Sequence, residues 1–179
     1  MKVEKYLVEI RGVKPLLMHA PVNLGDNPKR RRGEHLAPEK EAEMYLYKDE
    51  KGEIVIPSLN IKAMLRDAGR NYKISGRKTT YGAMIKAGID IEPYPYVPLN
   101  HDGWKVDIRP VVVQRSRILR ARPRFDKWGL KFVVVNKDPQ VLLRDTMRRI
   151  VEDAGKWIGL GDFRPEFGLF KVVRFEVKA

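Results

Sequence analysis

Residues 115–124 read Arg-Ser-Arg-Ile-Leu-Arg-Ala-Arg-Pro-Arg, with five arginines and no lysine. A guanidinium offers a flat fork of donors that matches two phosphate oxygens at once, whereas an ammonium is a point charge. In an extended chain alternate side chains share a face, so Arg115 and Arg117 fall together, as do Arg120, Arg122 and Arg124. Phe125, Lys127 and Trp128 follow directly. Cations interleaved with rings suit a single nucleic-acid strand, because arginine meets phosphate and rings stack on bases. A second basic run, Lys29-Arg30-Arg31-Arg32, lies in a stretch without helical or strand period. The third stretch with chemical potential is Trp157–Phe170, which carries Gly159, Gly161, Gly168 and Arg164. Glycine lets a ligand come close to the main chain, so a glycine-rich connection with an arginine can hold phosphate. Position alone favours the plainer reading, a helix C-cap followed by a tight turn into the last strand. Asp162 and Glu166, in the same loop, would repel phosphate.

The whole composition points the same way. Lysine and arginine number 36 against 23 acidic residues, a net charge of +13 on 179 residues. A surplus of that size favours a polyanionic partner, nucleic acid first and an acidic membrane surface second. Hydrophobic residues make up 43%, enough for a core, and charged residues 33%. The absence of cysteine excludes disulfides and thiolate metal sites and fits an intracellular protein. No apolar run approaches the roughly 18 residues of a membrane span. The first residues alternate like a strand and show no signal-peptide pattern, so a cytoplasmic location is expected. There is no P-loop, no His-Glu-x-x-His, no Ser-His-Asp constellation and no metal-ligand spacing, so a metabolic enzyme is disfavoured and neither cofactor nor metal is expected. The histidines are His19, His35 and His101.

Six strong elements must position these residues. Period-two alternation predicts strands at 3–11, 106–117, 130–136 and 170–177. Amphipathic periodicity predicts helices at 58–73, with Ser58 as N-cap, and at 139–158, with Asp138 as N-cap and Pro139 at the first position. Lys62, Arg66 and Arg70 form a basic stripe on the first of these helices and read as an exposed face. The order is β-α-β-β-α-β, that of a ferredoxin-like (RRM-like) α+β domain. Residues 1–179 then form a single domain with long insertions at about 12–57 and 76–105, of lengths that are often functional. Arg120 to Gly129 would be the tip of a hairpin. Tyr94 and Tyr96, among Pro93, Pro95 and Pro98, read as packing against the domain.

Two motifs carry a family resemblance. Ile54-Val55-Ile56-Pro57-Ser58-Leu59-Asn60-Ile61-Lys62-Ala63-Met64-Leu65-Arg66 resembles the Ile-Pro-Gly-Ser-Ser-hydrophobic-Lys-Gly-x-hydrophobic-Arg entry into the first helix of the RAMP superfamily of CRISPR-associated proteins. Gly159-Leu160-Gly161-Asp162-Phe163-Arg164-Pro165-Glu166-Phe167-Gly168 resembles that family's C-terminal glycine-rich loop. Asn60 departs from the pattern by replacing a small residue. With the element order, the resemblance spans most of the chain. It implies a guide-RNA-binding subunit of an effector ribonucleoprotein in antiviral defence, working beside other subunits or copies of itself. In the backbone branch an inserted hairpin works as a thumb, and some members cut target RNA with an aspartate in the loop after the first strand. Asp26 is the aspartate of that loop here.

Three functions follow as expectations. The first is a non-catalytic RNA-binding subunit that meets phosphates through Arg30, Arg31, Arg32, Arg115, Arg117, Arg120, Arg122 and Arg124, with Phe125 and Trp128 against bases. The second is a metal-independent endoribonuclease with a histidine as general acid or base; His35 in the basic loop is its best candidate, and His19 reads as packed. The third is a viral or mobile-element protein that coats nucleic acid.

Overall fold

The computed structural model describes residues 3–22 and 36–179. Its elements are β1 (Glu4–Gly12), β2 (Leu16–Leu17), α1 (Pro38–Met44), β3 (Val55–Pro57), α2 (Ser58–Gly69), α3 (Tyr81–Gly88), β4 (Ile89–Glu92), β5 (Tyr96–His101), β6 (Lys105–Val113), β7 (Ser116–Phe125), β8 (Trp128–Asn136), α4 (Arg144–Asp153) and β9 (Phe170–Val177). A π-helical turn, Ala154–Ile158, extends α4.

The main sheet has the order β3-β5-β8-β1-β9, with β4 also paired to β8. Strands β8 and β9 flank β1, both antiparallel to it. This is the ferredoxin-like arrangement, in which the first strand lies between the third and the fourth. Alternation decides which face is buried. Tyr6, Val8 and Ile10 pair with Val134, Phe132 and Leu130. All six pack beneath Ile61, Met64, Leu65 and Ala68 of α2 and Met147, Ile150 and Val151 of α4. Each such burial stabilises by about 1.5–3 kcal/mol for a large apolar side chain.

The second strand of the pattern is not 106–117. It is formed by β4 and β5 in succession, which pair with the two ends of β8 through Ile89↔Asn136 to Glu92↔Val133 and Leu99↔Leu130 to His101↔Trp128. Pro93, Tyr94 and Pro95 interrupt it. Of the prolines that argue against a strand, Pro93 and Pro95 sit at the interruption, and Pro98 sits in β5 opposite Val55 of β3. The expected insertion at 76–105 therefore contains a core strand.

Strands β6 and β7 leave the main sheet and pair with each other over Lys105↔Arg124 to Val113↔Ser116. With β2 they make a second, three-stranded sheet of order β2-β7-β6. The hairpin tip is Gln114 and Arg115, both with positive φ (47° and 68°), not Arg120–Gly129. Positive φ at both central residues is the turn that matches strand twist.

Helix starts also differ from expectation. Ser58 is the first residue of α2, after Pro57, and its hydroxyl makes no cap bond. Helix α4 begins at Arg144 rather than after Asp138. The buried Asn136 explains the delay: its amide donates to the Leu142 carbonyl (2.7 Å) and its carbonyl accepts from the Asp138 N–H (3.1 Å). This holds 138–142 as a turn.

Candidate nucleic-acid interface

The glycine-rich loop docks on the segment that follows β1. The Asp162 N–H donates to the Leu17 carbonyl (2.9 Å), the Gly168 N–H to the Pro15 carbonyl (2.8 Å), and the Leu160 N–H to the Gly168 carbonyl (3.0 Å). Glycine is required at two positions. Gly161 and Gly168 have φ of 83° and 81°, and a Cβ would run into the Leu17 and Leu160 carbonyl oxygens respectively.

The acidic residue of the loop does not face outward as a free charge. Asp162 Oδ2 lies 2.9 Å from Arg122 Nη1 and 3.4 Å from His19 Nδ1. The His19 hydrogen bond, with the Arg122 charge and the Phe163 backbone N–H behind it, holds the Asp162 carboxyl below its ordinary range against the opposing effect of burial. His19 also stacks on Tyr45, with ring centroids 4.2 Å apart. The expected repulsion of phosphate by Asp162 is thereby removed. Glu166 is exposed and 3.7 Å from Lys14.

The five-arginine run is divided by its position along β7. Arg115 and Arg117 are exposed at the hairpin end. The other three are engaged at its base. Arg122 is nearly buried against Asp162; Arg124 bonds Asp126 (2.6 Å) and lies 3.7 Å from Asp107; Arg120 lies over the Tyr45 ring. From β6, Arg109 reaches the Phe167 ring (4.7 Å) and Asp107 (2.7 Å). These side chains fix the arm to the glycine-rich loop and to α1. The outer part of the arm has an apolar face. The register puts Pro110 opposite Leu119 and Val112 opposite Arg117. On that face Val112 is 68% exposed, Leu119 70%, and Ile108 is exposed as well.

The two rings expected to stack on bases are in the core. Phe125 is 0% and Trp128 4% exposed. Phe125 meets the His101 ring edge-on at 5.2 Å, and the Trp128 indole N–H donates to the Lys14 carbonyl (2.9 Å). β7 crosses from the arm into the protein at this point, so its last residues are covered. Tyr94, expected to pack, is instead 72% exposed, and Tyr96 is exposed too. The face of the main sheet away from α2 and α4 carries Leu7, Glu9 and Arg11 from β1 and Lys131, Val133 and Val135 from β8, with no ring among them and with Val133 and Val135 buried. Base stacking on that part of the sheet is not available.

A groove of about 290 Å³ runs between α2 and the glycine-rich loop. Asn60 and Ala63 line it from α2, and Gly161, Asp162 and Arg164 from the loop. Arg164 is held at the groove by the Gly159 carbonyl (3.4 Å) and Asp67 (3.9 Å). Asp67 also receives Arg66 (3.0 Å) and Arg70 (3.3 Å). The stripe on α2 is thus not a plain solvated face: two of its members join Arg164 around one carboxylate, and Lys62 ties α2 to Asp90 at the start of β4 (3.2 Å). The signal lay in the Arg66, Asp67, Arg70 spacing, which places unlike charges within one turn. Asp26, Lys29, Arg30, Arg31, Arg32 and His35 lie outside the described residues. Among the described residues no group of three or more His, Asp or Glu is placed to hold a metal ion, and no helix is long and apolar enough to cross a membrane.

The same architecture recurs among solved structures. The fold is shared with a chain of the Type III-B Cmr-beta. That chain, determined by cryo-EM with Cmr-beta bound to cognate target RNA, superposes with a TM-score of 0.64 at 14% sequence identity. The superposition covers 98% of the present chain but 61% of the other, so the present chain spans about three fifths of the other's length. No protein-family model and no curated protein matches the chain.

Proposed function

We propose that the chain is an RNA-binding subunit of a CRISPR effector ribonucleoprotein, of RAMP type, and that it holds guide RNA through arginine–phosphate contacts. The observation that carries this reading is the projecting arm. Its end pairs two exposed arginines, Arg115 and Arg117, with an apolar face of Ile108, Pro110, Val112 and Leu119. Arginine at the tip meets phosphates, and exposed aliphatic side chains there can lie against base faces in the place of the buried Phe125 and Trp128. The fold shared with a subunit of an RNA-bound complex supports the class of ligand and the class of partner, other effector subunits or further copies of this chain. Arg164, with Gly159 and Gly161 shaping the loop, extends the contact to the groove beside α2. The basic run Lys29–Arg32 adds charge to the same partner.

A salt titration of single-stranded RNA binding tests this. On a single strand each phosphate contact contributes roughly 0.7 to the slope of log K against log salt. Replacing both Arg115 and Arg117 by alanine is expected to lower the slope by about 1.4. Wild-type binding that does not weaken with salt would remove the proposal.

A further inference from the structure

We infer that the groove between α2 and the glycine-rich loop is a single-nucleotide pocket, in which Asn60 reads the edge of one unstacked base and Arg164 holds the adjoining phosphate. The inference rests on the RNA-binding reading and adds a site of base discrimination to it.

Size comes first. At about 290 Å³ the groove is at the lower end of small-ligand pockets, roughly 300–1,000 Å³, and takes one nucleotide rather than a duplex. Its walls come next. Met18, Ile56 and Leu160 are buried apolar residues that also line it. Apolar walls accept the faces of a base, and a base edge then needs a polar partner or loses its hydrogen bonds to water. Asn60 is that partner. It stands half-exposed on α2, and its amide both donates and accepts, the combination that recognises a base edge in pairs of hydrogen bonds.

The charges fit a phosphate at one end. Arg66, Arg70 and Arg164 converge on Asp67, and three guanidiniums against one carboxylate leave two positive charges in excess. Asp67 also restrains Arg164, so less side-chain freedom is lost when an anion arrives. The groove's own carboxylate, Asp162, is already engaged by Arg122 and His19.

The experiment measures affinities of the full chain for labelled oligo(A), oligo(C), oligo(G) and oligo(U) of equal length, by fluorescence anisotropy at fixed salt. The wild type is expected to spread these affinities by about tenfold, the scale of one good bidentate base contact. Asn60→Ala should bring the four within about twofold while leaving the salt slope unchanged. Asn60→Asp, which replaces a donor by an acceptor, should reorder the four. Arg115→Ala/Arg117→Ala should weaken all four equally and keep their ranking. Thermal melting confirms folding, and alanine at this half-exposed helix site is well tolerated. Salt-dependent binding in which the wild type ranks the four equally overturns the pocket and leaves the RNA-binding reading standing. So does an unchanged ranking in folded Asn60→Ala. Absence of binding to every oligonucleotide overturns the RNA-binding reading itself, and the pocket with it.

Discussion

Replacing Asp162 by asparagine keeps the side chain's shape and removes its charge. The structure sets the size of the consequence. The Arg122 side chain is 9% exposed, its Nη1 lies 2.9 Å from Asp162 Oδ2, and its buried Nε has no hydrogen-bond partner. Without the carboxylate a nearly buried cation is left uncompensated. Breaking a fully buried pair by removing one member costs about 3–5 kcal/mol, and an exposed pair is worth less than about 1 kcal/mol. Asp162 is 35% exposed, so water screens one side of this pair and an intermediate value of about 2 kcal/mol follows. In a domain of this size each kcal/mol moves the midpoint by about 2–4 °C, which gives a loss of about 4–8 °C at neutral pH by calorimetry. The pH dependence has a definite sign. A carboxyl whose folded pKa is lowered stabilises the protein above its unfolded value, near about 3.9, and the contribution disappears as pH falls through the folded value. The gap between wild type and Asp162→Asn is therefore full at pH 7 and closes in acid below about pH 4. Equal melting temperatures at pH 7, or a gap that persists undiminished at low pH, would refute an electrostatic role for this pair.

Two further substitutions test the placement of sequence-predicted residues. Phe125→Ala opens a cavity at a fully buried site and should cost about 3–5 kcal/mol in a denaturant melt, while the affinity of the folded fraction for RNA is unchanged. Lost RNA affinity with unchanged stability would return Phe125 to the interface. Gly161→Ala forces a side chain into a left-handed backbone and against the Leu17 carbonyl, so it should destabilise by at least about 2 kcal/mol by the same measurement. A melt within experimental error of wild type would show that the loop does not dock on the segment after β1.

Much of the fold could be read from alternation because its buried positions are periodic. Tyr6, Val8 and Ile10 of β1 and Ile61, Met64, Leu65 and Ala68 of α2 are apolar at the spacing of their elements, and they form the core. The second core strand was hidden because β4 and β5 are short and divided by prolines, while the longer alternation at 106–117 belongs to an arm outside the main sheet. Neither chain neighbour nor composition reveals which of two strands a third will pair with. The hairpin tip was hidden for a different reason. Its two positive-φ residues are Gln114 and Arg115, not the asparagine and glycine that usually mark such a turn. Local pattern gave the arginine run the alternation of extended chain but ended the strand at 117 and put a hairpin tip at Arg120–Gly129, where β7 in fact continues to Phe125; burial along β7 also changes within a few residues, so Arg115 and Arg117 stay in solvent while Arg122 and Phe125 do not.

The aspartates near the arginines change what the excess charge means. A basic surface of mobile side chains would serve solubility as well as binding. Among the described residues four aspartates beside arginines each take more than one basic side chain: Asp67 takes Arg66, Arg70 and Arg164, Asp107 takes Arg109 and Arg124, Asp126 takes Arg124 and Lys105, and Asp162 takes Arg122 and the His19 imidazole. In all four groups formal arginine and lysine charge equals or exceeds the carboxylate charge, and around Asp67 the excess is largest, three guanidiniums to one carboxylate. Each carboxylate lowers the repulsion among its cations and holds them in place. Ordering a long basic side chain costs about 0.5–1.5 kcal/mol when it happens at binding. On the proposed RNA-binding reading, that ordering is largely complete around Asp67 before RNA arrives, at the aspartate with the largest surplus of positive charge among these four. On that reading Asp67, which composition alone sets against a polyanion, acts in its favour by holding Arg164 beside the groove.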